Sequence, residues 1–194
     1  MSDIAAGLAD PAHDSQRLFR AVLGAFSHPG RIVRLPEAPA AAGPLSRAAT
    51  AFLLTFVDRD TPLWLAPAFN TAAVHDFVRF HTGAPIVGDE ADALFAVLPH
   101  EHAAMPAGFA IGTDPYPDRS ATLVIEAPDL RGGATRTWRG PGIDGSASVA
   151  VAGPSEAFWR EWAANHALFP CGVDVIFASG SELLALPRSI AVER

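Results

Sequence analysis

The chain has 194 residues, 49% of them hydrophobic, a formal charge of -7 and one cysteine, and all 14 of its basic residues are arginine. That length accommodates one well-filled α/β domain spanning residues 1–194, and an acidic balance argues against a nucleic-acid scaffold, which needs a basic face. Without lysine there is no internal aldimine with pyridoxal phosphate, no Schiff-base enzyme and no Walker-type phosphate loop, and one cysteine excludes an internal disulfide.

Residues 1–11 lack the basic start and long apolar core of a signal peptide, and no run approaches the roughly 20 apolar residues of a membrane helix, so a cytoplasmic protein is expected. A first helix is expected from a cap at Asp14 or Ser15, burying Leu18, Val22 and Phe26, and ending at Pro29-Gly30. A short strand over 31–35 follows. After a Pro/Ala-rich link over 36–44, Leu45, Ala49, Phe52 and Phe56 form a second helical stripe that stops at Asp58-Arg59-Asp60. Trp64 reads as strand. A third helix, capped by Asn70 or Thr71, packs Val74, Phe77 and Val78 and stops at Gly83. Strands are expected over 94–98, 122–126, 135–139 and 148–152, with 100–119 an irregular surface excursion. A fourth helix over about 154–166 starts on Pro154 and buries Phe158, Trp159 and Trp162. The chain then ends in an apolar hairpin, Val173 to Phe177 answered by Leu183 to Leu186. This order predicts one mixed β-sheet with helices on both faces.

Five groups could carry chemistry. His81 falls on the apolar face of the third helix near its end, either as a half-buried group satisfied by a backbone carbonyl or as an acid/base or phosphate-binding partner of Arg79. Asp58 and Asp60 could bind a metal or move protons, although aspartates in such a loop more often turn the chain. His100 and His102 present two imidazoles with no further ligands at metal-site spacing, so no metal is expected. Arg136 and Arg139, in a glycine-rich stretch, suit an anion, but a twisted hairpin with solvent-facing arginines explains them as well. Finally, if Phe177 faces Leu183 across the terminal hairpin, Asp174 and Arg188 share a sheet face and pair.

Four blocks, FRAVLGAFSHPGRIV, DRDTPLWL, RFHTGAP and FPCGVDVIFASGSELLALPRS, occur in an order and spacing that resemble the H subunit of the bacterial carbon-phosphorus lyase complex, over nearly the whole chain. The resemblance implies a fold like that of pyridoxal-phosphate-dependent transferases but without the cofactor lysine, and no cofactor. It implies association as a homodimer or with the other lyase subunits. It also implies an accessory role in joining a phosphonate to the ribose C1 of ATP with release of adenine, the isolated chain being inactive. Cys171 stands where that family usually has an aliphatic residue, so it is not expected to be a nucleophile. Two alternatives remain open: a free-standing enzyme acting on a phosphonate or phosphorylated sugar through Arg79, His81, Asp58 and Asp60, and a relic that still takes up pyridoxal phosphate noncovalently. A homodimer would bury the apolar groups of the first helix (Leu18, Phe19, Phe26) and the fourth (Phe158, Trp159, Trp162).

Overall fold

Four helices alternate with twelve strands in a computed structural model that describes residues 4–101 and 108–194. In chain order they are α1 (Pro11–Ser27), β1 (Val33–Arg34), α2 (Arg47–Phe56), β2 (Leu63–Leu65), α3 (Ala72–His81), β3 (Ile86–Val87) and β4 (Phe95–Pro99). Then come β5 (Ile111–Thr113), β6 (Tyr116–Ser120), β7 (Thr122–Glu126), β8 (Arg136–Arg139), β9 (Ala147–Val149), α4 (Glu156–Ala167), β10 (Asp174–Ser179), β11 (Glu182–Leu186) and β12 (Ala191–Glu193). No described helix is long and apolar enough to cross a membrane.

Seven strands form the main sheet in the order β1-β11-β10-β7-β4-β2-β3, parallel from β10 to β3 and antiparallel at the β10-β11-β1 end. The central strands β4, β7 and β10 are apolar on both sides because both faces are covered. Phe52 of α2 meets Phe95 of β4 edge-on at 5.5 Å, whereas Phe158 of α4 meets Phe177 of β10 at 5.8 Å. Phe95 is aligned with Asp174 through Thr122, so Phe177, three residues further on, points to the opposite face. One face thus carries α2, with α1 stacked on it through Phe19 and Phe56 at 5.4 Å, and the other carries α4. Beyond α4 lies a three-stranded sheet, β12-β8-β9. Trp162 donates its indole N–H to Ile190 O at 3.0 Å, and Trp138 meets Trp159 at 6.5 Å, which sandwiches α4 between the two sheets. The expected mixed sheet with helices on both faces is the architecture observed.

Helix α1 begins earlier than the apolar stripe suggests. Asp10 caps it by accepting from the His13 N–H at 3.2 Å, and Asp14 reaches back to the Asp10 N–H at 2.9 Å. Asp14 is therefore a buried member of a reciprocal cap with Pro11 in the first turn, not the cap itself. At α4 the cap is Ser155, so Pro154 lies outside the helix.

The excursion over 100–119 is not irregular throughout, since β5 and β6 pair there as a hairpin. Its signal was hidden by Gly112, at φ 76° where a side chain would strike the Pro117 backbone, and by Pro117 within the strand itself. Fully buried Phe158 and Trp162, and Trp159 at 9% exposure, belong to this chain's own core, as does Leu18. They are not available to a dimer interface. On α1, Phe19 and Leu23 stay exposed, at 46% and 52%.

Candidate functional site

Helix α3 positions two of the predicted groups. Thr71 caps it, and Val74, Phe77 and Val78 bury its inner face, which leaves Ala72, His75, Asp76 and Arg79 along one outer flank at helical spacing. That flank and Ile86 of the edge strand β3 enclose an open groove of about 750 Å³, with Asn70 bonded to His75 at its mouth. Arg79 makes no hydrogen bond or ion pair with any described residue and lies in the last turn of α3, where a cation complements the helix dipole.

His81 points the other way. Its Nε2 lies 3.0 Å from Ala5 O, and its ring packs against Phe77 at 4.5 Å and Phe80 at 4.9 Å. A Cβ on Gly7 would come within 2.8 Å of the imidazole. The half-buried histidine thus fastens the N-terminal segment to α3, in the way of the carbonyl-satisfied alternative.

The loop after α2 abuts the end of α3, Arg59 Cβ lying 4.0 Å from the side-chain position at Gly83. Its aspartates are nonetheless turned elsewhere. Asp58 Oδ1 accepts from the Asp60 N–H at 2.9 Å and from the Thr61 hydroxyl at 3.2 Å, closing a turn. Asp60 sits beside Arg59 at 3.7 Å, with both side chains more than 80% exposed. Arg79, His81, Asp58 and Asp60 are neighbours, then, but they address three separate surfaces: the groove, the N-terminal cleft and solvent. His100 pairs with Glu101 at 3.3 Å, while His102 lies outside the described residues.

Strand β8 separates the two predicted anion binders. Arg139 is exposed and reaches Glu193 at 3.5 Å. Arg136 is only 6% exposed, stacks over Trp159 at 4.9 Å and pairs with Glu156, so it does not face solvent as a hairpin arginine would. Its Nε has no partner among the described residues. Gly133 serves packing there, because a Cβ would lie 2.0 Å from Val151 O.

Asp174 and Arg188 do pair, by a route different from the expected one. The observed register sets Ala178, not Phe177, opposite Leu183, which by regular alternation would place Asp174 and Arg188 on opposite faces. But β11 ends at Leu186, and the chain turns so that the Arg188 backbone N–H donates to Asp174 Oδ1 at 2.8 Å. The guanidinium then meets both carboxylate oxygens, through Nε at 3.2 Å to each and Nη2 at 2.5 Å. Nη1 donates to Pro117 O at 2.8 Å and Pro170 O at 3.5 Å, and Nη2 also donates to the Ser120 hydroxyl. All five N–H donors of the guanidinium are engaged by protein. The pair is a latch joining β10, the β5-β6 hairpin and the chain after α4. Cys171 is buried nearby, its Sγ 3.7 Å from Asp114 Oδ1.

One carboxyl group with a shifted equilibrium was not foreseen. Glu126, at the carboxyl end of β7, accepts from the Ser46 N–H at 2.6 Å, and burial pushes its pKa above the usual 4.5. The outer flank of α3 could have been read from the spacing of Ala72, His75, Asp76 and Arg79. Nothing local in the sequence announces the Glu126 contact, which joins residues 80 apart.

A family model described as bacterial phosphonate metabolism protein (PhnH) matches residues 6–193. The chain is 41% identical over 188 residues to the alpha-D-ribose 1-methylphosphonate 5-triphosphate synthase subunit PhnH of Rhizobium meliloti strain 1021, covering 96% of this chain and 94% of the relative. It is also 31% identical over 175 residues to a putative C-P lyase subunit protein, HtxG, of Stutzerimonas stutzeri, covering 90% and 83%.

Proposed function

The chain belongs to the PhnH family of bacterial phosphonate metabolism proteins, and from that premise we propose that it acts as an accessory, scaffolding subunit of the carbon-phosphorus lyase assembly. In that role it works with partner subunits at the step that transfers a phosphonate to the ribose C1 of ATP, releases adenine and yields a ribose 1-phosphonate 5-triphosphate. The observation that carries the reading is the end-to-end likeness to a subunit of such a synthase, 41% identical over 96% of this chain. Site geometry supports the accessory part, because Arg79, His81, Asp58 and Asp60 do not share a cavity in which an acid, a base and a substrate could meet. A free-standing enzyme would need that convergence.

The finer expectations join the proposal. A mostly parallel sheet flanked by helices on both faces supports the likeness to pyridoxal-phosphate-dependent transferases, and a chain without lysine cannot hold that cofactor as an aldimine. An ATP-consuming step suits a cytoplasmic address, and the family match over 6–193 supports treating the chain as one unit. For the isolated chain we propose a homodimer through α1, where Phe19, stacked on Phe56, and Leu23 stay exposed. Phe19→Asp with Leu23→Asp should convert it to a monomer by light scattering without unfolding it, and an unchanged mass would remove α1 from the interface.

Affinity-tagged chain co-expressed with the other lyase subunits tests the main reading. Co-purification is expected, together with no turnover of ATP plus methylphosphonate by the chain alone. Turnover by the isolated chain, or failure to recover any partner subunit, overturns the accessory reading.

A further inference from the structure

We propose that Arg34, Arg47 and Ser181 form a binding site for a tetrahedral phosphorus oxyanion, a phosphate ester or a phosphonate, on the carboxyl edge of the main sheet. The three residues line one cavity of about 320 Å³, roomy enough for more than a single phosphate. Its walls are knitted by the backbone. Leu35 N–H donates to Ser181 O at 2.9 Å and Ala48 N–H to Gly180 O at 2.9 Å, tying the exit of β1 and the first turn of α2 to the tight β10-β11 turn, where Gly180 adopts φ 54°. That turn follows the carboxyl end of a parallel strand, the side of an open α/β sheet on which ligands collect.

Two guanidinium groups line it with no carboxylate hydrogen-bonded to either, although the charge of Arg34 helps to hold the Glu182 carboxyl below its usual pKa. Arg47 donates from Nε to Pro39 O at 2.9 Å and from Nη2 to Ala38 O, both uncharged acceptors that hold the fork still while leaving its charge in place. It opens α2, whose first turn holds no acidic residue; the Glu126 carboxyl does reach the cap residue Ser46, but burial biases that group toward its neutral form. Arg34 makes no hydrogen bond or ion pair with any described residue. The cross-strand neighbour of Arg34, Glu182, already accepts two bonds from Arg131, at 2.7 and 3.4 Å. The acid that borders the cavity is Glu37, and its carboxylate is bound by Arg17. In a chain of net charge -7, two arginines on one cavity wall with no carboxylate bonded to them favour an anion, and planar forks fit tetrahedral oxyanions through paired N–H donors. Ser181, a third residue of the lining, brings a hydroxyl donor to the same cavity.

The ligand class rests on the function proposed above, whose substrates carry a phosphonate and a triphosphate. The test does not depend on that function. Calorimetric titration of the full chain with tripolyphosphate should show saturable binding that weakens in high salt, with inorganic phosphate weaker and acetate weaker still. Arg34→Gln, which removes no hydrogen bond or ion pair within the described fold, should lower tripolyphosphate affinity about tenfold to a hundredfold, and Arg47→Gln should act in the same direction. Arg160→Gln, exposed on α4 across the sheet, should leave it unchanged. Absence of saturable binding, acetate binding as tightly as tripolyphosphate, or binding untouched by Arg34→Gln and Arg47→Gln would overturn the site. A chain that co-purifies with lyase subunits but binds no tripolyphosphate loses this site and keeps its place in the assembly.

Discussion

Arginines at two ends of the β10-β11 hairpin behave in opposite ways. Arg188, after the open end, is 14% exposed and gives every N–H to protein oxygen, while Arg34, beside the turn, bonds to nothing described. The side chain is the same and the charge is the same, yet one is architecture and the other is available to a ligand. What separates them is the acceptor inventory. Asp174, Ser120 and the carbonyls of Pro117 and Pro170 converge on Arg188, whereas the acid opposite Arg34 is already held by Arg131. A guanidinium that is buried and saturated reports on stability, and one that is exposed and unpaired reports on binding.

The sharpest way to break that contrast is at Asp174. Asp174→Ala leaves the Arg188 charge in a setting only 14% exposed and frees the Arg188 backbone N–H. Removing one partner of such a pair costs about 3 kcal/mol, the low end of the range for buried pairs because some solvent reaches it. A fall in Tm of roughly 10 °C by calorimetry is expected for a chain of this length. A fall of under about 2 °C would show that the latch carries no stability.

Next in size is Asn165, which belongs to the same latch region. Its side chain is 2% exposed and clamps Val173 from both sides, accepting from its N–H at 2.9 Å and donating to its C=O at 2.9 Å. Asn165→Ala leaves two buried backbone groups unpaired, at a cost of about 2 kcal/mol. Chemical denaturation should show a lower midpoint with an unchanged slope, and a midpoint equal to that of the parent would mean that water replaces the amide.

These two residues also mark how far the sequence could be read. Helices α2 and α3 and the strands of the main sheet other than the two-residue edge strand β3 follow from apolar periodicity and from turn residues, because both are local signals. The Asp174–Arg188 pair was anticipated from an alternation that the real register breaks, and a turn that starts at Pro187, closed by Ile190 N–H on Pro187 O, brings the two together instead. Neither the β5-β6 hairpin nor β12 was anticipated, since Gly112 and Pro117 interrupt the one and three residues make the other. Of the candidate sites, the turn role of Asp58 and the carbonyl-bound His81 were among the alternatives stated. The cavity of Arg34, Arg47 and Ser181 draws on three segments far apart in the chain, which no spacing could reveal.

A smaller effect comes from Glu126, at the carboxyl edge shared with the arginine cavity. Its pKa is raised by burial, so the folded state holds the proton more tightly than the unfolded chain. Relative to the unfolded chain, the fold favours the neutral form. That contribution is complete below about pH 4.5, the unfolded value, and is lost as pH rises through the folded value. Glu126→Gln mimics the protonated group and keeps an oxygen for the Ser46 N–H, so the variant should gain stability relative to the parent between acid and neutral pH. Tm difference curves that stay flat over that window would show that the carboxyl group is solvated in solution.

The smallest expected effect sharpens the comparison most, because it asks whether an unpaired arginine is free of structural duty. Arg79 lines the α3 groove without a partner among the described residues, and Arg34 does the same in its cavity. If partnering is what makes an arginine structural, Arg34→Gln and Arg79→Gln should each change stability by no more than about 0.5 kcal/mol, the range of ordinary surface substitutions. Replacing Arg79 also removes a cation from the last turn of α3, which alone is worth a few tenths of a kcal/mol, so its cost should be slightly the larger. Urea denaturation of both variants beside Asp174→Ala measures the difference in one experiment. A loss at Arg34 comparable to that at Asp174 would mean that the turn end of the hairpin is latched as the open end is, and that both arginines are architecture.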